Sequence, residues 1–345
     1  MQDTNPALSA NPLTMNQVNS PPVTFNPVSA NTDIDADLTL GNEPISDQHD
    51  HKVSHSAKAA IIAVIIVPFL AVFLAIWTLW GYGFFWHHAI MLFVGYAATA
   101  MGITIGFHRF FTHKSFDCVA PVKLALGVLG SMAIEGPVLT WVSRHRRHHQ
   151  HSDDTDDPHS PHQHGESVWG VVKGAVHAHM GWLIKDDKPG LERYIPDLLT
   201  SKMTVAVDKL FLLWFALSLL IPAVIGGLIM MSWTGFFLGF LWGGLVRVFV
   251  VHHITWSINS VCHIWGTQDY KSHDESRNNA LFGILAFGEG WHNNHHAFPA
   301  SARHGLKWWQ FDSSYIIIKT LEKLGLAWNV KVPSEAHLAK KALAK

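Results

Sequence analysis

The sequence predicts an all-α integral membrane protein, with four transmembrane helices in two hairpins and histidine clusters on the cytosolic side that fit a dimetal centre. Three observations carry this reading. Apolar residues make up 48% of the 345 residues and charged residues 15%, well below the roughly 25% charge of an ordinary soluble domain. Four long apolar runs fall in two pairs joined by charge-free linkers. Histidine, at 25 copies, is as abundant as Lys and Arg together, and it is clustered, which points to metal. A net charge of -1 leaves no basic surface for a nucleic-acid partner.

Residues 1–56 are polar and aperiodic, and read as a disordered tail. They lack the basic start and short apolar core of a signal peptide. A membrane domain is expected over 57–330, followed by a C-terminal tail, 331–345. The apolar runs are 59–80, 84–107, 210–231 and 234–258, each near or above the ~20 residues that a spanning helix needs. Buried helices of a soluble core are the alternative, and two adjacent pairs with minimal linkers argue against it. The linkers 81–83 and 232–233 contain no Lys or Arg, whereas 108–209 and the C-terminal segment contain many. The positive-inside rule therefore puts both termini and the middle segment in the cytosol. A shorter apolar stretch, 119–134, is flanked or broken by Pro121 and Pro137 and reads as a re-entrant or interfacial helix. Cys118 and Cys262 lie beside the predicted metal-binding segments, where a disulfide is not expected. Two thiolates cannot hold a four-cysteine iron–sulfur cluster, so electrons from such a cluster must come from another protein.

Four histidine groups follow the spans: His108 with His113, then His145-Arg146-Arg147-His148-His149, then Asn259 with His263, then His292-Asn293-Asn294-His295-His296. On a helix, positions i, i+3 and i+4 share a face, so each H-x-x-H-H run aims its three imidazoles one way. His108 and His113 are five apart, about 140° around an ideal helix, so one of them must lie beyond the helix end or on a distortion. All four groups fall on the cytosolic side of the two-hairpin topology. Nine imidazoles exceed what one metal takes and fit two metals, one with four and one with five. Imidazole suits Zn, Cu, Fe and Ni. Asn259 is a poor ligand in that company and is expected to hold a metal-bound water, leaving a position open for chemistry.

The boxes H-x-x-x-x-H, H-x-x-H-H, N-S-x-x-H and G-E-G-W-H-N-N-H-H resemble those of the membrane fatty-acyl desaturases of the stearoyl-CoA desaturase class. The flanks agree: Thr255-Trp256-Ser257-Ile258 precedes Asn259, Gly288-Glu289-Gly290-Trp291 precedes His292, and Asp156-Asp157-Pro158-His159 follows the second box. The resemblance covers roughly residues 60 to 325 and leaves the N-terminal tail outside. It implies four spans with a cytosolic cap, two iron ions (zinc fits the same ligands), molecular oxygen, and a cis double bond at carbon 9 of a saturated acyl-CoA. It implies a narrow bent acyl tunnel, beside whose kink Trp141 and Thr255 stand by position. An acyl-lipid or carrier-protein thioester is the alternative substrate. The electron donor is expected to be external, such as a ferredoxin or a flavin reductase, and the setting a bacterial inner membrane.

Other residues have plainer readings. His49, His51 and His55 belong to the tail, and His87 and His88 to the outer end of the second span. His151, His159, His162, His164, His177 and His179 read as surface groups or as supports for the ligands, with contact to a substrate head group as the alternative. Asp153, Asp154, Asp156 and Asp157 form an acidic run that either is solvated or supports ligand imidazoles; Asp156 and Glu289 are the candidates taken from it and from the fourth box. Arg247, His252 and His253 sit at membrane depth, where ionisable residues face the protein interior; His252 is a candidate support below the metals. Arg144, Arg146 and Arg147 would suit a phosphate-bearing head group or simply a positive-inside surface. A related fatty-acid or alkane hydroxylase is the main alternative function. A metal transporter would place ligands along a path inside the spans, and a haem carrier would pair histidines in facing spans.

Overall fold

The computed structural model describes residues 54–81, 83–185 and 190–343. The predicted tail lies outside these except for its last three residues, where Ser54 accepts a hydrogen bond from the Ala57 amide and starts a helix. That helix, α1 (His55–Leu79), has 25 residues, about 37 Å and enough for a hydrocarbon core of about 30 Å. Helix α2 (Trp86–Thr112) returns antiparallel to it. The apolar α3 (Ala120–Ser131) has only 12 residues and packs on α2 without crossing. Their approach requires small residues, since a Cβ on Gly102 would come 2.2 Å from the Gly130 amide nitrogen.

Helices α4 (Val138–His151) and α5 (Val168–His179) then build one side of a cap. A second hairpin follows, α6 (Phe211–Met230) and α7 (Trp233–His263). Its turn uses Met231 in the left-handed region, φ 47°, and Ser232, whose hydroxyl accepts from the Gly235 amide. A Cβ on Gly226 would lie 2.3 Å from the Gly235 carbonyl oxygen, so this hairpin closes on glycine contacts. Short helices α8 (Ala280–Leu285), α9 (His292–Ala297) and α10 (Ser313–Lys323) complete the cap. Strands β1 (Asp117–Cys118) and β2 (Ala327–Trp328) pair antiparallel and fasten the late chain to the end of α2. The segment read as a C-terminal tail is docked: its helix α11 (Glu335–Lys341) places Lys341 Nζ 2.9 Å from the Ala297 carbonyl oxygen.

Four spans in two hairpins agree with the sequence reading. The second and fourth run past the ends of their apolar stretches, to Thr112 and His263. Hydropathy stops at the membrane surface, but the helical hydrogen bonds continue into the cap and carry polar residues with them. His108, Asn259 and His263 are thereby held on rigid rods. Both cysteines are free thiols.

Candidate metal centre

The end of α2 solves the five-residue spacing. From Gly102 to Thr112 it is a π-helix, and the His113 amide donates to the His108 carbonyl 3.1 Å away. The wider i→i+5 winding brings residues five apart to within roughly 50° of each other instead of about 140°, and the two ring centroids lie 4.8 Å apart. Helix α4 presents His145, His148 and His149, and α9 presents His292, His295 and His296. His263 closes α7.

The nine rings meet in one place and divide into two groups. His108, His113, His145, His149 and His295 form one; His148, His263, His292 and His296 form the other, with ring nitrogens in each lying within 4.8 Å of one another. Nε2 atoms face each other at 3.0 Å between His108 and His295, 2.9 Å between His295 and His149, and 3.0 Å between His263 and His292.

The far sides of four rings show which nitrogens carry protons. His108 Nδ1 lies 2.5 Å from Glu289, His148 Nδ1 3.0 Å from Asp157, His263 Nδ1 2.9 Å from Asp153, and His296 Nδ1 2.5 Å from Asp274. A carboxylate accepts, so each Nδ1 donates and a neutral ring turns the lone pair of Nε2 inward. Buried His148 Nε2, His296 Nε2 and both nitrogens of His113 have no hydrogen-bond partner. Lone pairs packed together in a buried site repel unless a cation lies between them. The donor set therefore fits two metal ions of the kind that imidazole binds.

Protonation agrees with that fit at six of the nine rings; His263 is raised instead, burial being outweighed by Asp153. Burial first, then repulsion from neighbouring rings, holds His113, His145, His149, His292 and His295 well below the ordinary imidazole value. His296 is lowered to about 4, burial outweighing Asp274. Burial alone would raise the carboxyls, but the rings and their hydrogen bonds overcome it: Asp153, Asp157 and Asp274 lie well below the carboxylate range. Glu289 falls to about 2, held there by His108, His304 and Arg109 against burial.

Buried arginines lock the frame. Arg109 bonds Glu289 at 3.2 Å and Asp312 at 3.0 Å. Arg146 bonds Asp197 at 2.7 Å and the Phe111 carbonyl at 2.7 Å, tying α4 to α2. Arg146 is thus an internal clamp, and Arg147 donates to the Asp156 carbonyl; only Arg144 of the three lines the cavity below. Asp156 offers its backbone where a supporting carboxylate was expected; Asp157 takes that place one residue on. His252 lies lower than expected, its Nε2 3.0 Å from the Ala133 carbonyl oxygen and 3.1 Å from that of Ile134.

A cavity of about 70 Å³ opens beside the rings, with Trp141, Thr255, Asn259 and Glu289 in its wall. Trp141 stacks on His145 at 4.9 Å and donates from Nε1 to Glu135 Oε2 at 3.1 Å. Glu135, missed by sequence reasoning, shares this cavity wall with Thr255, and burial pushes its carboxyl up to about 7 against the bond from Trp141. Its signal was a lone acid in an apolar stretch. His304 and Asp274 were missed as well. His304 is buried 4.5 Å, ring to ring, from His295 and 3.5 Å from Glu289, and neither sits in a box.

Residues 83–331 match the family described as fatty acid desaturase. The chain is 43% identical over 281 residues to a hex-5-enoyl-[acyl-carrier protein] acetylenase of Moorena producens, covering 81% of this chain and 88% of that one. It is 38% identical to an sn-1 stearoyl-lipid 9-desaturase of Synechocystis sp., over 75% of this chain and 76% of the other. With an icosanoyl-CoA 5-desaturase of Limnanthes douglasii it shares 36%, over 74% and 67%. A match across most of the length, joined to four spans and two clusters of buried imidazoles, makes this chain a membrane protein of the fatty acid desaturase family.

Proposed function

We propose that this protein is an oxygen-dependent fatty-acyl desaturase that inserts a cis double bond at carbon 9 of a saturated acyl-CoA, using two iron ions held by the nine histidines. The observation that carries the reading is the division of those rings into five and four around inward-facing lone pairs. His108, His113, His145, His149 and His295 would hold one ion, and His148, His263, His292 and His296 the other. Asn259 would hold a bound water beside the second. When bound, such a pair supplies the oxidising power that removing hydrogen from an unactivated methylene demands, with two electrons from an external ferredoxin or flavin reductase.

The chain's own residues do the rest. Trp141 and Thr255 would hold the acyl chain at its bend, a positioning effect. The cavity excludes water from the reacting carbons. Glu289, Asp153, Asp157 and Asp274 orient the rings through their Nδ1 protons. In this reading the cap and both termini face the cytosol, the membrane is a bacterial inner membrane, and the catalytic domain spans 57–330.

A second reading has a specific basis, the 43% identity to an acetylenase acting on an acyl-carrier substrate. It would oxidise an existing double bond to a triple bond. The named relatives act on CoA, lipid and carrier-protein substrates and at carbons 5 and 9. Lipid analysis of cells expressing the chain separates these readings. A new monounsaturated acid supports desaturation and its position reads the carbon; an alkyne supports the second reading; a hydroxy acid or no new product overturns both.

A further inference from the structure

A second and larger cavity, about 450 Å³, lies deeper in the membrane bundle between α2, α6 and α7, with Gly95, Ala98, Met132, Ile221 and Arg247 in its wall. It is separate from the cavity at the rings, and the partition between them is narrow. Met132 lines the deep cavity and Glu135 the upper one; three residues of chain reach at most about 10 Å. On α2, Ile103 lines the upper cavity and Thr99 the deep one, four residues apart and about 6 Å of rise; on α7, Thr255 and Arg247 are eight residues apart, about 12 Å of rise.

Arg247 lies in the wall of the deep cavity and bonds the Met132 carbonyl, at the start of the turn that leads to Glu135. It is 1% exposed, and its guanidinium donates to neutral acceptors: the carbonyls of Gly243 (3.3 Å), Met132 (3.1 Å) and Ser218 (3.0 Å), and the Ser218 hydroxyl. Its side chain also lies against Gly95, whose added Cβ would meet Arg247 Cγ at 3.5 Å. The arginine thus ties α7 to Met132 and to α6, and lies against α2, in the wall of the deep cavity. An apolar chain end pushing past it would strip hydrogen bonds from a charge at membrane depth, which is strongly unfavourable.

We propose that Arg247 is the stop that limits acyl-chain length, and that the deep cavity is a latent extension of the acyl site which opens when the stop is removed. The proposal rests on the desaturase reading, in which the acyl chain descends from the upper cavity. Arg247 touches neither the metals nor the reacting carbons; it sets how far the chain can descend.

The test uses the full chain in membranes of cells fed a graded series of saturated fatty acids, with product chain lengths measured by mass spectrometry. Arg247→Met, and Arg247→Gln, which retains a donor for the Met132 carbonyl, should raise the share of longer-chain product by on the order of tenfold. Adding Ala98→Phe to either variant should fill the extension and restore the original distribution. In the otherwise unaltered protein Ala98→Phe should leave the distribution unchanged. An Arg247 variant that accumulates normally and keeps the original chain-length distribution overturns the proposal. So does a shift caused by Ala98→Phe alone, because the deep cavity would then already hold the chain; this arm stands even where Arg247 variants fail to accumulate. Absence of any unsaturated product from the unaltered protein would instead sink the desaturase reading.

Discussion

The two groups of imidazoles differ in what stands behind them. In the group of four, His148, His263 and His296 each rest on a carboxylate, from Asp157, Asp153 and Asp274. In the group of five, among the described residues, His108 on Glu289 is the ring so supported, and Arg109 offsets that charge at 3.2 Å. One group therefore has more rings and the other more negative charge. A carboxylate behind a ring makes the ring more basic and fixes its tautomer. The group with fewer nitrogens gains in donor strength what it lacks in number, and in the proposed reading Asn259 would hold a water beside it.

Removing a ring should have the largest effect. His295→Ala takes a central member from the group of five, and double-bond formation should be abolished while the protein remains in the membrane; retained product would remove His295 from the ligand set. The comparison itself is sharpened by pairing Asp274→Asn with Glu289→Gln. Losses of about 10- to 100-fold in metal affinity or activity are typical for such supports. Metal content of the two purified variants should show Asp274→Asn depleting the group of four. Equal depletion of both sites in both variants would break the proposed asymmetry.

Asn259→Ala should lower turnover more than metal content, measured on the same preparation, if the residue holds a water and not the ion as proposed; full activity in the variant would discard that role. A smaller effect concerns pH. Glu135 has its carboxyl raised to about 7 from an ordinary 4.5. A raised acid is held as the neutral form in the folded protein. The stability that follows is complete below the ordinary value and is lost as pH rises through about 7, where a buried negative charge appears in the cavity wall beside Trp141. Activity should therefore decline over that range, and Glu135→Gln should flatten the decline; an unchanged profile in the variant would exclude Glu135 as its source. The smallest effect is expected from deleting residues 1–50, after which product formation should persist.

The spans and the boxes were legible because each is written in a local pattern. Long apolar runs without charge report burial in lipid, and i, i+3, i+4 spacing reports one helix face. The His108–His113 spacing even announced a distortion, found as a π-helix. Supporting groups were harder to read. Asp274, His304 and Glu135 carry no motif, since a single acid or imidazole has no periodicity, and their roles depend on what the chain brings beside them. Asp156 and Asp157 differ by one position, and only the turn after α4 decides which carboxyl reaches His148.

By itself, the amino-acid order determined that this chain enters a bilayer four times and carries nine imidazoles at helix-compatible spacing, because hydropathy and helical phase are properties of neighbouring residues. The tertiary structure alone decided how those rings divide, which carboxylates stand behind them, and where Arg247 lies relative to two cavities. Many of those facts depend on contacts between residues more than a hundred positions apart, such as His108 with His295 and Arg247 with Met132, and no local pattern encodes such a meeting.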